Sequence, residues 1–181
     1  MKIKVFFAEL RLYLCNHVVN KIPSHTLRLW YYRFVMRYEI GEEATIGLGC
    51  SFDAAKNLII GNKSVINARC RLDSRGGLEI GECVSISSDT IILTADHDPN
   101  QYMVGRNRPV KIEPYVFIGT RAMILAGVTI GTQSVVAAGS VVSKNIPPHC
   151  IAGGIPAKKI KDVPNNGILM KEFYPYRRLF Q

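Results

Sequence analysis

"IGNKSVINARCR" (60–71) is followed twenty residues later by "IGECVSISSDTI" (80–91). Both dodecamers divide into sixes that open on isoleucine and carry a small or β-branched residue at the fifth place. The same beat extends to either side. Before it stand "IGEEAT" (40–45) and "IGLGCS" (46–51); after it come "IEPYVF" (112–117), "IGTRAM" (118–123), "ILAGVT" (124–129), "IGTQSV" (130–135) and "VAAGSV" (136–141). The fifth place reads Ala44, Cys50, Ser64, Cys70, Val84, Thr90, Val116, Ala122, Val128, Ser134 and Ser140, with no large residue in any slot. Places 1 and 5 are four apart, so in an extended segment both side chains point to one face, taken here as the inside. Glycine at place 2 of many units suits a tight corner that needs unusual backbone angles. A six-residue beat is too short for helices and lacks the paired turns of hairpins. Short strands with regular corners make an all-β solenoid, whose coils pair at ~4.8 Å and bury the aliphatics along the axis.

Coil length follows from the same isoleucines. Ile40 to Ile60 and Ile60 to Ile80 are each 20 residues, and Ile112 to Ile130 is 18. Ile80 to Ile112 is 32, and the surplus is "DPNQYMVGRNRPV" (98–110), just after His97. This segment, rich in Pro, Asn and Gly, is expected to leave one corner as an excursion loop over 98–111. Loops on a rigid scaffold are where function concentrates.

The chain has 181 residues, a net charge of +9 and five cysteines. The basic residues are dispersed, without zinc-finger spacing or aromatic-rich motifs, which argues against nucleic acid. An odd number of cysteines with no C-x-x-C pair argues against a disulfide framework or structural zinc and for a reducing, cytoplasmic setting. Glu9 and Arg11 interrupt the apolar start, so it does not read as a signal peptide.

At this point the chain resembles the hexapeptide-repeat acyltransferases, most of all the O-acetyltransferases of the galactoside, maltose and exopolysaccharide groups. The likeness covers roughly residues 40–160. It rests on the repeat, the "DHD" histidine (96–98) before an excursion, and the closing "VVSKNIPPHCIAGGIPAKKI" (141–160). It implies a left-handed parallel β-helix, acetyl-CoA as co-substrate with no metal, and a homotrimer with active sites between subunits. The activity it implies is O-acetylation of a saccharide, in bacterial exopolysaccharide or surface-glycan synthesis. An amino-sugar or antibiotic acetyltransferase is the alternative enzyme, and a non-catalytic β-helix scaffold the alternative of another class.

Residues 1–39 lack the repeat and are expected to form a helical arm, with helices over about 3–19 and from Ser24 onward. Its expected duty is to cap the open end of the solenoid; the competing reading is a basic amphipathic arm at a membrane surface. Residues 40–162 are the β-helix, and 163–181 a short helix or tail.

The resemblance implies that His97 is the general base, which fits the chemistry: a sugar hydroxyl must lose its proton as it attacks a thioester, and imidazole accepts protons near neutral pH. Asp96 or Asp98 is the candidate to orient it, or neither. Three histidines around zinc, as in carbonic anhydrases on this solenoid, are not available on the middle coils. The likeness points to Asp73 and Arg71 at the acceptor sugar. Asn100, Tyr102 and Arg106 on the excursion are further candidates for that pocket. It places Thr120, Ala138, Ser143, Lys144 and Lys158 at the coenzyme, where small residues leave a groove and lysines meet phosphates.

Overall fold

The computed structural model describes residues 2–163. The expected tail over 163–181 lies outside them, apart from Val163. Three parallel sheets run the length of a solenoid, one to each face. The first face stacks Glu39–Ile40, Leu58–Ile60, Leu78–Ile80, Val110–Ile112 and Thr129–Ile130. The second stacks Thr45–Ile46, Val65–Ile66, Ser85–Ile86, Phe117–Ile118, Val135–Val136 and Cys150–Gly154. The third stacks Ser51–Phe52, Arg71–Leu72, Ile91–Ile92, Met123–Ile124 and Val141–Val142. This is a parallel β-helix, consistent with the left-handed form.

The beat predicted the register. Ile40, Ile60, Ile80, Ile112 and Ile130 are successive ladder partners, and Ile46, Ile66, Ile86, Ile118 and Val136 are theirs on the next face. All eleven place-5 residues are buried beside them. Cys50 and Cys70 stack inward as small residues, as their common slot predicts. The hydroxyls admitted to this core are satisfied: Ser64 Oγ donates to Gly81 O at 2.7 Å and accepts from Val84 N at 3.0 Å, one coil on.

One expectation is corrected. The unusual backbone angles fall on place 4, not on the place-2 glycines. Glu43, Gly49, Lys63, Arg69, Cys83, Asp89, Tyr115, Arg121, Gly127, Gln133 and Gly139 all have φ between 53° and 81°. The place-2 glycines answer a different demand, close approach of coils. A Cβ on Gly61 would lie 2.5 Å from Glu82 N, a backbone atom of the next coil.

Two helices, α1 (Lys2–His17) and α2 (His25–Trp30), cover the first coil, and α2 runs on through a wide π turn at Tyr31–Val35. Ser24 caps α2 as expected, accepting from Leu27 N at 3.4 Å. The cover is made of side chains bonded to the outermost strand edges. Asn16 bonds both Phe52 O (2.7 Å) and Phe52 N (2.9 Å). His25 Nε2 accepts from Ile46 N at 3.3 Å while buried Arg28 donates to Ile46 O at 3.0 Å. Arg33 donates to Ile40 O at 3.1 Å. Each face of the first coil thus has its free edge occupied, which is how natural sheets avoid pairing with strangers. At the far end Ala157–Asp162 folds back antiparallel on Cys150–Gly154.

Candidate active site

The excursion leaves one corner, as expected, the one between the third and first faces, and folds as an antiparallel hairpin. Ala95–Asp98 pairs with Val104–Asn107, so the structured arm starts at residue 95, before the position 98 read from the sequence. Alternation along the hairpin decides what each side chain can do. His97, opposite Gly105, points away from the side that carries Asp96 and Asp98. On that other side Arg106 donates to Asp96 (2.6 Å) and to Asp98 (2.8 Å), and Arg108 also donates to Asp96. The two arginines hold the Asp96 carboxyl down at about 2.

Neither aspartate touches the imidazole. His97 Nδ1 instead lies 2.8 Å from the carbonyl oxygen of Met103, across the hairpin turn. A carbonyl can only accept, so Nδ1 carries the hydrogen, and in the neutral ring the lone pair is then on Nε2. The residue is exposed. One ring nitrogen is thus held by the main chain, and the other has no hydrogen-bond partner among the described residues.

The hairpin is rooted by Asp73. That carboxylate is fully buried and accepts from Thr94 N (3.0 Å), Arg75 N (3.0 Å) and the Arg75 guanidinium (2.9 and 3.0 Å). Burial pushes its pKa up, but the Arg75 pair and the two backbone donors outweigh it and leave it below the ordinary value. Asp73 was expected at the acceptor; with both oxygens engaged and no exposed surface, it acts as a bracket for the hairpin root. Arg71 pairs with Asp53 at 3.0 Å on the outer surface of the third face, and Arg106 belongs to the hairpin's ion cluster. Asn100 and Tyr102 stand at the hairpin tip, where Asn100 N bonds Asp98 Oδ1 at 2.9 Å and Tyr102 is wholly exposed. At the foot an open groove of about 1010 Å³ runs past Arg37, Lys56, Arg75, Asn107 and Lys111.

The predicted coenzyme residues divide between two corners. Thr120 and Ala138 are exposed on successive coils between the second and third faces, where Gly139 N bonds Thr120 O at 2.9 Å. A Cβ on Gly139 would meet nothing within 4 Å, so open space lies beside Ala138. The closing hairpin joins this shelf: Gly153 approaches Ala137 and pairs with Lys158, and Gly154 N bonds Ser140 Oγ at 3.2 Å. Ser143 and Lys144 follow the last third-face strand and are exposed at the other corner, the one from which the His97 hairpin leaves two coils earlier. Small residues beside open space leave room for a slender acyl carrier, with Lys158 on the same shelf and Lys144 at the other corner. Among the described residues no three His, Cys, Asp or Glu side chains are placed to hold a metal ion.

What the sequence reading missed is the orienting Met103 carbonyl and the second partner of Asp96, Arg108. The latter had a signal. "DHD" (96–98) and "RNR" (106–108) each put like charges two apart, as facing strands of a hairpin would.

Residues 109–144 match the family model described as bacterial transferase hexapeptide (six repeats). The chain is 31% identical over 129 residues to the galactoside O-acetyltransferase of Escherichia coli K12, across 68% of this chain and 63% of that protein. It spans less than two thirds of the length of the curated relatives it matches. Among solved structures, a hexapeptide-repeat acetyltransferase of Vibrio cholerae complexed with acetyl coenzyme A superposes with a TM-score of 0.82 at 26% identity, covering 90% of both chains. A maltose O-acetyltransferase of Clostridium difficile 630 gives 0.76 at 27% identity, covering 88% of this chain and 86% of its own. The chain is therefore a hexapeptide-repeat protein whose homologues include galactoside and maltose O-acetyltransferases.

Proposed function

We propose that the protein transfers the acetyl group of acetyl-CoA to a hydroxyl of a saccharide, with His97 as general base. The observation that carries the reading is the His97–Met103 hydrogen bond, which in the neutral ring places the lone pair on Nε2, on an exposed, projecting arm. Nε2 takes the hydroxyl proton as the sugar oxygen attacks the thioester carbonyl. When the tetrahedral intermediate collapses, the C–S bond breaks and the imidazolium returns its proton to the leaving thiolate. No acyl-enzyme is required, because the thioester is already activated.

Within one chain the His97 corner and the Thr120–Ala138 shelf are separated by the whole third face. A site that combines the two would take His97 from one subunit and the shelf from another, in keeping with the homotrimer that the resemblance implies. The groove at the hairpin's foot gives the acceptor room, while Asn100 and Tyr102 stand apart from it at the hairpin tip. The saccharide acceptor is supported by the galactoside and maltose enzymes among the relatives. Five free thiols, four of them buried, fit a reducing, cytoplasmic setting.

The test is thiol release from acetyl-CoA with a panel of mono- and disaccharides. His97→Ala should lower transfer at least ~100-fold with unchanged circular dichroism and acetyl-CoA affinity. Transfer near the wild-type rate would remove His97 from the chemistry, and absence of acetyl-CoA binding in the wild type would favour a scaffold.

A further inference from the structure

We propose that the N-terminal end of the molecule docks on an anionic membrane surface, with the outer stripe of α1 lying among lipid headgroups. The inference does not depend on the acetyl-transfer reading. α1 is held by its second half: Leu12 and Cys15 pack on the core, and Asn16 bonds Phe52. Ile3 and every residue from Val5 to Leu10 are exposed, so the first half overhangs the body. Ile3 is 72% exposed, Phe6 and Phe7 60% each, and Tyr13 59%. Ile3, Phe6, Phe7, Leu10, Tyr13 and Leu14 recur at steps of three and four, which lines them up as one stripe. A second exposed group, Leu27, Trp30 and Phe34, belongs to the same end of the solenoid, where Tyr31 Oη joins the two helices by donating to Arg11 O at 2.8 Å. Contiguous apolar surface of this kind marks an interaction site.

Charge identifies the partner. Residues 1–38 contain seven Lys or Arg and a single acidic residue, Glu9, so this fifth of the chain holds a net +6 of the total +9. Arg28 is buried, so the rest of this basic excess is carried by the other residues of the segment. A second copy presenting the same surface would set like charge against like. An anionic interface matches both properties: apolar side chains enter the headgroup boundary, basic ones meet lipid phosphates, and Tyr13 and Trp30 are the amphipathic aromatics favoured there. Among the described residues no helix is long and apolar enough to cross a membrane, so the contact is along the surface.

Flotation of the full-length protein with phosphatidylcholine vesicles, with and without phosphatidylglycerol, tests this. Binding is expected only to the anionic vesicles, to weaken steeply as salt is added, and to fall at least ~tenfold in the Phe6→Glu/Phe7→Glu variant. Both phenylalanines are exposed, so the variant should keep the wild-type melting temperature. A wild-type protein that ignores anionic vesicles at low salt overturns the proposal. So does a variant that floats as well as wild type. A variant that dissociates into smaller species, when the wild type does not float, reassigns the stripe to subunit contact.

Discussion

The solenoid wall and the hairpin that leaves it are both built from β-strands, yet they are held in opposite ways. In the wall each coil repeats the same backbone ladder and the same inward isoleucine, so no single contact is decisive but every position is confined. The hairpin has one ladder partner and little burial. Its shape depends on four charged side chains, Asp96, Asp98, Arg106 and Arg108, and on one main-chain bond to His97. The wall's rigidity is spread over many equivalent contacts; the hairpin's shape rests on a few that single substitutions can change.

Three substitutions probe that contrast. Gly61→Val, in the wall, forces a side chain against the backbone of the next coil and should cost on the order of 4 kcal/mol or more, read by chemical denaturation. A loss under ~1 kcal/mol would mean the coils can separate locally. Asn16→Ala, at the end of the wall, leaves Phe52 N and O without partners and should cost about 2 kcal/mol by the same measurement, with transfer unchanged. Asp96→Asn, in the hairpin, should lower kcat/KM about tenfold, a modest change in aim, with the melting temperature unmoved. A fall in melting temperature comparable to that of Asn16→Ala would make hairpin and wall one cooperative unit. The sign with pH is set by the low Asp96 pKa: the cluster is intact above the ordinary carboxylate range and is lost as pH falls toward about 2.

What was legible follows the same division. Side-chain size at places 1 and 5 writes the core directly into the sequence, so strands, faces and coil lengths could all be read. Place 4 could not, because its left-handed backbone is imposed by the corner on Glu43, Tyr115 and Gln133 alike, residues with nothing else in common. The place-2 glycines were conspicuous but answer to coil spacing. At the site, His97 stood out by position, whereas its partner is a carbonyl that any residue at 103 would present. Asp73 was noticed for its charge, which says nothing of whether it faces solvent or, as here, the root of the hairpin. Lys158 reaches the shelf only because the chain reverses after Gly154, a long-range placement invisible in local spacing.

A parallel solenoid is a template for its own continuation: its first coil offers on each face the pattern that another coil would complete. Here Arg33, Arg28 with His25, and Asn16 already hold Ile40, Ile46 and Phe52 at that edge. The end can be touched, by lipid or by protein, but it cannot be extended. Growth into fibres by stacking a further coil is closed off at this end.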